Sequence, residues 1–366
     1  MSYSNVNSSF WKKKRVLITG HTGFKGSWLS LWLTSMGAEV GGYALPPATL
    51  PSLFETLNIN SLIKTSAYSD IRDLFAIKKV MAEFSPQVVI HMAAQPLVRF
   101  SYSHPVETYE TNVVGTANLL EAVRSVGGVK AVISVTTDKC YENKEWLWGY
   151  RESDALGGAD PYSSSKACAE LVTAAYRQSF FSTETYALHG TAIASARAGN
   201  VIGGGDWSED RLIPDLLRAK SNRTSLVVRN PNALRPWQHV LEPLAGYLML
   251  AERLYEHGPK YATAWNFGPN DNDAVSVANV LKLARSLMTD MPEVHTNTTT
   301  QPHESGLLKL DNSQAKNKLS WHPKWDIEQA LSRTLSWNDS FIQEQDMIQI
   351  TLAQIKEYSN YGIQGD

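Results

Sequence analysis

Three short stretches of this 366-residue chain carry side chains whose types and spacing suit chemistry. In Ala159-Asp160-Pro161-Tyr162-Ser163-Ser164-Ser165-Lys166, a phenol and an amine stand four residues apart. On a helix that spacing puts Tyr162 and Lys166 on one face, about one turn from each other. A phenol with a pKa near about 10 is a poor base, but a neighbouring cation stabilises the phenolate and lowers that value by about one unit or more. A phenolate so prepared can take a hydroxyl proton while hydride leaves the same carbon. In Val135-Thr136-Thr137-Asp138-Lys139-Cys140-Tyr141, two hydroxyls, a carboxylate and an ammonium follow the apolar run Ala131-Val132-Ile133-Ser134. The bland reading of Asp138 and Lys139 is an ion pair at a strand end. The chemical one is an acid and a base aimed at neighbouring atoms of one substrate.

The third stretch is Gly20-His21-Thr22-Gly23-Phe24-Lys25-Gly26, directly after the apolar Arg15-Val16-Leu17-Ile18-Thr19. Glycines at 20, 23 and 26 permit a tight turn, close approach of backbone to a pyrophosphate and tight helix packing, while the following helix presents free N–H groups to the anion. Strand before and helix after point to a bound dinucleotide, and that is the hydride acceptor which Tyr162 and Lys166 require. The second strand ends in Tyr43-Ala44, so no acid stands where one often grips the adenosine ribose. Asp70-Ile71 follows a third strand-like piece and is placed to hold adenine. The absence of Arg at 43–47 speaks against a 2′-phosphate and favours NAD without deciding it.

These groups need a scaffold. Apolar runs at 15–19, 39–45, 87–92, 130–135 and 191–197 alternate with helix-like segments at 25–36, 73–84, 105–125 and 161–181. Strands separated by helices predict an α/β fold with a Rossmann-type doubly wound parallel sheet, which binds ligands beyond the carboxyl ends of its strands. After Asn200 the periodicity breaks at Gly203-Gly204-Gly205-Asp206-Trp207, and a smaller mixed α/β lobe follows. The predicted division gives residues 1–199 to the dinucleotide domain, with 240–268 returning to it, and 200–239 plus 269–366 to a substrate lobe. The polar His295-Thr296-Asn297-Thr298-Thr299-Thr300-Gln301 reads as a surface loop.

Composition narrows the function classes. With 34 basic and 36 acidic residues the formal charge is -2, which gives nucleic acid no electrostatic footprint. Only Cys140 and Cys168 occur, so a reducing, cytoplasmic setting is expected, and neither cysteines nor the nine scattered histidines have metal-ligand spacing. No metal is expected. No apolar stretch approaches the roughly 20 residues needed to cross a bilayer, and the polar start lacks a signal-peptide core.

Together with His91-Met92-Ala93-Ala94-Gln95-Pro96 and the segment Tyr109 to Ala122, these motifs resemble the extended short-chain dehydrogenase/reductase superfamily, specifically its nucleotide-sugar 4,6-dehydratases. The resemblance runs from Val16 to Trp337, and the stretches 199–215 and 235–248 are similar to those of members acting on CDP-D-glucose. It implies NAD as cofactor, with Ala93 among its contacts, and an internal redox cycle in which C4 of glucose is oxidised, water is lost across C5 and C6, and C6 is reduced. The product, CDP-4-dehydro-6-deoxy-D-glucose, leads to 3,6-dideoxyhexoses of surface polysaccharides. By the family pattern Thr137 binds the 4-oxygen beside Tyr162, Asp138 protonates the departing 6-hydroxyl, and Lys139 removes the C5 proton where most relatives have Glu. An ammonium with a pKa near about 10.4 is no base, so either Lys139 is neutral beside a protonated Asp138, or the two share one proton. Gln95 is expected at the sugar and Asn200 and Arg235 at the diphosphate, with Trp207, Trp237 and His239 beside the cytosine.

Two further expectations follow from the resemblance. His21 replaces a small residue of related glycine loops, so its bulk should hinder NAD and His21→Gly should tighten binding. The helices at 105–125 and 161–181 should pair two copies into a homodimer or a dimer of dimers. A nucleotide-sugar 4-epimerase shares the glycine loop and Tyr162/Lys166 but has no use for Asp138 and Lys139. A non-catalytic NAD-binding protein would have no use for Tyr162.

Overall fold

The computed structural model describes residues 5–297 and 306–361. Seven parallel strands form the central sheet: β1 (Arg15–Thr19), β2 (Glu39–Ala44), β3 (Thr65–Tyr68), β4 (Val88–His91), β5 (Ala131–Val135), β6 (Ala192–Ala198) and β7 (Ala264–Phe267). Their order is β7-β6-β5-β4-β1-β2-β3. The order reverses between β1 and β4, and that switch point opens the crevice in which ligands of such sheets lie.

Alternate residues of the central strands enter opposite cores, because successive Cβ atoms leave a strand on opposite faces. Val16, Ile18, Val88, Ile90 and Ile133 join Trp28, Trp32, Leu244 and Leu248 on one side. Leu17, Val89 and Val132 join Ile77, Met81, Leu119 and Leu120 on the other. Both faces being covered, the central strands read as continuous apolar runs. The covering helices include α1 (Phe24–Ser35), α2 (Leu74–Phe84), α3 (Gly115–Val126), α4 (Pro161–Ser179) and α5 (Leu241–His257). Asp160 caps α4 by accepting from the Ser163 amide at 2.9 Å, and Pro161 occupies the first turn, where its missing N–H costs nothing.

The expected single helix at 105–125 is interrupted. Pro105–Tyr109 passes through a π-helical turn, Glu110–Val114, before α3 resumes the regular pitch. Periodicity alone does not reveal such a one-residue excess.

The second lobe has a separate core of Ile213, Leu216, Trp237, Val280, Leu331 and Leu335. It is built on helices Leu212–Asn222, Val277–Leu287 and Ile327–Ile342 with three short strand pairs. One pair corrects the reading of 295–301: Val294–Thr296 is a strand, parallel to Leu226–Val228, and residues 298–301 lie outside the described residues. The C-terminal helix Met347–Asn360 is tied to α5 through Glu242, whose carboxylate accepts from the amides of Lys324 and Trp325 and from the Tyr358 hydroxyl at 2.8 to 3.0 Å.

Candidate active site

A cleft of about 600 Å³ runs from the glycine loop across the carboxyl ends of β4, β5 and β6 and under the second lobe. The glycines shape one end. At Gly20, φ is +79° and an added Cβ would stand 2.8 Å from the Ala93 amide, while at Gly26 it would stand 2.1 Å from the Gly20 carbonyl. Neither site tolerates a side chain. Gly23 precedes α1 without a side-chain cap, so the helix's first N–H groups remain available to an anion. Gly20, Thr22, Gly23, Phe24, Lys25 and Gly26 all line the cleft, and so do Asp70, Ile71 and Ala93. This cradle and its donors fit a dinucleotide pyrophosphate. Asp70 is committed to the Arg72 guanidinium at 2.7 Å, which lowers its pKa; Arg72, which sequence reasoning missed, bridges on to Glu110 at 3.1 Å.

His21 departs from expectation. Its ring does not line the cleft; it is fully buried beneath β2, where an added Cβ on Gly42 would meet it at 2.3 Å. Nε2 lies 2.7 Å from the Ser66 hydroxyl, and burial pushes the ring's pKa down to about 4, which keeps it neutral. The ring is therefore loop support rather than an obstacle, and His21→Gly should loosen NAD instead of tightening it. A sequence signal existed: Gly41-Gly42 inside a strand marks a close approach by another group.

At the centre, β5 delivers Thr136 and Thr137 to a tight 3₁₀ turn, Asp138–Cys140. Thr137 Oγ1 donates to Asp138 Oδ1 at 2.9 Å and lies near enough to the Tyr162 phenol to oppose the rise of its pKa. Asp138 Oδ2 is buried and has no hydrogen-bond partner among the described residues. Burial raises the Asp138 pKa, against the opposing charges of Lys139, Arg235 and Lys25 and the Thr137 hydrogen bond. Lys139 lines the cleft beside it.

Tyr162 and Lys166 project from α4 into the same cleft. Sequence reasoning expects a lowered phenol; the structure instead pushes Tyr162 up to about 12, because burial and the Asp138 charge outweigh Thr137 and Arg211. The Lys166 ammonium is turned toward the Val135 carbonyl at 3.5 Å, and burial brings its pKa down to about 8.

Gln95 is displaced from its expected role. Its amide donates to Thr108 Oγ1 at 2.9 Å and its oxygen accepts from the Leu97 amide, so it braces the loop after β4 and does not line the cleft. Asn112, in the π turn, completes that brace by bonding the Gln95 backbone and Ser165 Oγ. On the lobe side Asn200, Trp207, Arg235 and Trp237 line the cleft, whereas His239 is buried in the core between Trp28 and Trp325. Arg211, also missed in the sequence, lines the cleft with its guanidinium 2.8 Å from Asp206. Among the described residues no group of three or more His, Cys, Asp or Glu is arranged to hold a metal, and no helix is long and apolar enough to cross a membrane.

The fold is shared with solved nucleotide-sugar enzymes. DesIV, a dTDP-glucose 4,6-dehydratase from Streptomyces venezuelae with NAD and TYD bound, superposes with a TM-score of 0.74 at 20% identity, covering 91% of this chain and 99% of that one. The Thermus thermophilus UDP-glucose 4-epimerase complex with NAD gives 0.72 at 23%, covering 88% and 98%. Backbone likeness thus spans dehydratases and epimerases alike. Sequence is more discriminating: the CDP-glucose 4,6-dehydratase of Salmonella typhimurium is 53% identical over 353 residues, 96% of this chain and 98% of that protein. The family model described as GDP-mannose 4,6 dehydratase matches residues 17–334. On that span the chain belongs to the GDP-mannose 4,6 dehydratase family of nucleotide-sugar dehydratases.

Proposed function

We infer that the chain is a CDP-glucose 4,6-dehydratase, a hydro-lyase that turns CDP-D-glucose into CDP-4-dehydro-6-deoxy-D-glucose and water. The observation that carries this reading is the buried, unpartnered Oδ2 of Asp138 beside the Thr137–Tyr162 pair. An epimerase needs only the latter.

The glycine loop from Gly20 to Gly26, with Asp70, Ile71 and Ala93, would hold NAD, which would supply reversible hydride chemistry between C4 and C6 of the hexose. The protein manages the protons. Tyr162 and Thr137 bind the 4-oxygen, and its proton passes to Tyr162 as the C4 carbonyl forms. A phenol raised by burial is a poor acceptor by itself, so the Lys166 charge on the same helix face is required to stabilise its anion. The new carbonyl acidifies C5–H. Lys139 takes that proton as the C6–O6 bond breaks, and Asp138 Oδ2 delivers its proton to O6, which departs as water. To take that proton Lys139 must stand as the neutral amine beside a protonated Asp138, or the pair must share one proton between them. Lys139 then returns its proton to C5.

Asn200 and Arg235 are assigned to the diphosphate, since a guanidinium suits a phosphate oxyanion; Trp207 and Trp237 are assigned to the base. The reading extends to a cytoplasmic homodimer or dimer of dimers, for which the exposed Val106, Tyr109, Val114 and Leu171 along the 105–126 segment and α4 supply an apolar face. Incubation with CDP-glucose should generate the alkaline absorbance of a 4-keto-6-deoxy sugar. Recovery of an epimerised or unchanged nucleotide sugar would overturn the assignment.

A further inference from the structure

Behind the catalytic turn lies a charged cluster that takes no part in the chemistry derived above. Glu170 sits on α4 one turn beyond Lys166, and its side chain is 3% exposed. Its Oε1 accepts from Thr136 Oγ1 at 2.5 Å, and its Oε2 from Ser195 Oγ at 2.6 Å and from Arg197 Nη2 at 2.8 Å. Arg197 in turn donates to the Tyr141 hydroxyl at 2.7 Å, and that hydroxyl donates to Asn266 Oδ1 at 2.7 Å. The cluster therefore grips both ends of the catalytic turn, Thr136 before Thr137-Asp138-Lys139 and Tyr141 after it. A surface ion pair gives no such geometry, and a buried one is weak evidence for stability, because desolvation offsets much of its attraction.

We propose that Glu170 is the positioning residue of the active site, fixing the Thr136–Tyr141 turn through its hydrogen bonds and holding the Lys166 amine as an ammonium through its charge. The inference rests on the dehydratase reading only for its kinetic arm. Burial would raise the Glu170 pKa, yet Arg197 and the hydrogen bonds from Arg197, Ser195 and Thr136 bring it down, so Glu170 is a carboxylate throughout the neutral range. The groups acting on Lys166 are Glu170 on α4 and Cys140 on the turn, which favour its charge, with burial working against it. Lys25 on α1 and His91 on β4 also face it. Cys140 is itself pushed well above its ordinary range by burial and stays a neutral thiol, and the buried His91 is neutral too, which leaves Glu170 as the anion beside Lys166.

The sign is direct. Without the Glu170 charge the Lys166 ammonium loses support, and its midpoint falls below the present value of about 8. Competitive acetylation of the full chain with acetic anhydride, read at Lys166 by mass spectrometry across pH, measures that midpoint without turnover. Glu170→Gln should move it down by about one unit or more, and Glu170→Asp, which keeps the charge, should restore it. An unmoved midpoint in Glu170→Gln overturns the proposal. Thr136→Val, which leaves the Glu170–Arg197 pair intact, covers the case in which Glu170→Gln does not fold: kcat should fall roughly tenfold with KM nearly unchanged and the alkaline limb of the pH profile in place. An unchanged kcat would remove the positioning role. If the unmodified chain forms no 4-keto-6-deoxy product, the dehydratase reading fails, and the acetylation midpoints still decide the matter for Glu170.

Discussion

The floor and the mouth of the cleft are both rich in charge, and they are built differently. On the floor, Thr136, Thr137, Asp138, Tyr162, Lys166 and Glu170 are buried. At the mouth, Arg99 from the dinucleotide side reaches Asp210 of the lobe at 3.2 Å, and Arg229 reaches the same carboxylate oxygen at 2.9 Å, with side chains 23% to 43% exposed. Burial multiplies every electrostatic effect on the floor, as the raised Asp138 and the lowered Lys166 show, whereas water and salt screen the mouth. On the proposed reading, proton chemistry belongs to the buried floor, and the mouth is left to admit and retain substrate.

The sharpest way to break this contrast is Asp138→Asn. It removes the proton held on the floor and should lower dehydration about 10²- to 10⁴-fold, while C4 oxidation survives; mass spectrometry should find a 4-keto nucleotide that has not lost water. Gly199→Ala comes next. An added Cβ would stand 2.9 Å from Asp138 Oδ2 and 2.5 Å from Pro236 Cγ, so the acid must shift, and the same dehydration assay should record a loss of roughly 10²-fold, the scale of an ångström misplacement.

A third test uses pH on a buried acid outside the cleft. Burial raises Glu242 to about 7, above its ordinary carboxylate value, so the folded state holds a proton that the unfolded chain releases. That contribution to stability is complete below the unfolded pKa near about 4.3 and is lost as pH rises through about 7. Melting temperatures of Glu242→Gln should accordingly lose this part of the pH dependence. The smallest effect is expected at the mouth: Arg99→Ala should change stability by less than about 1 kcal/mol and leave kcat unaltered, with at most a few-fold rise in KM that vanishes at high salt. A large fall in kcat there would erase the distinction between floor and mouth.

Much of this was legible in the sequence because it depends on local rules. Glycine spacing after an apolar run, a capped helix opening on Pro161-Tyr162, and strands buried on both faces need no knowledge of the neighbours. What escaped depends on contacts distant in sequence. The ring of His21 is aimed by the space over Gly42, and the amide of Gln95 by Thr108. Arg211 is placed by Asp206, and Arg72 by Asp70 and Glu110, in segments with no motif of their own. The direction of the Tyr162 shift was misjudged because spacing reveals a nearby lysine but not the depth of burial, which wins here.

The π turn at Glu110–Val114 makes this helix intolerant of a change in length. Asn112 within it meets Gln95 and Ser165, while α3 beyond it packs on α2 and α4. Removing one residue from the turn would yield a more regular helix, yet would rotate everything downstream by about 100° relative to what precedes it. Either the brace at Asn112 or the seat of Leu119 and Leu120 in the core would then be out of phase. In this segment the chain can exchange side chains far more freely than it can add or lose a residue.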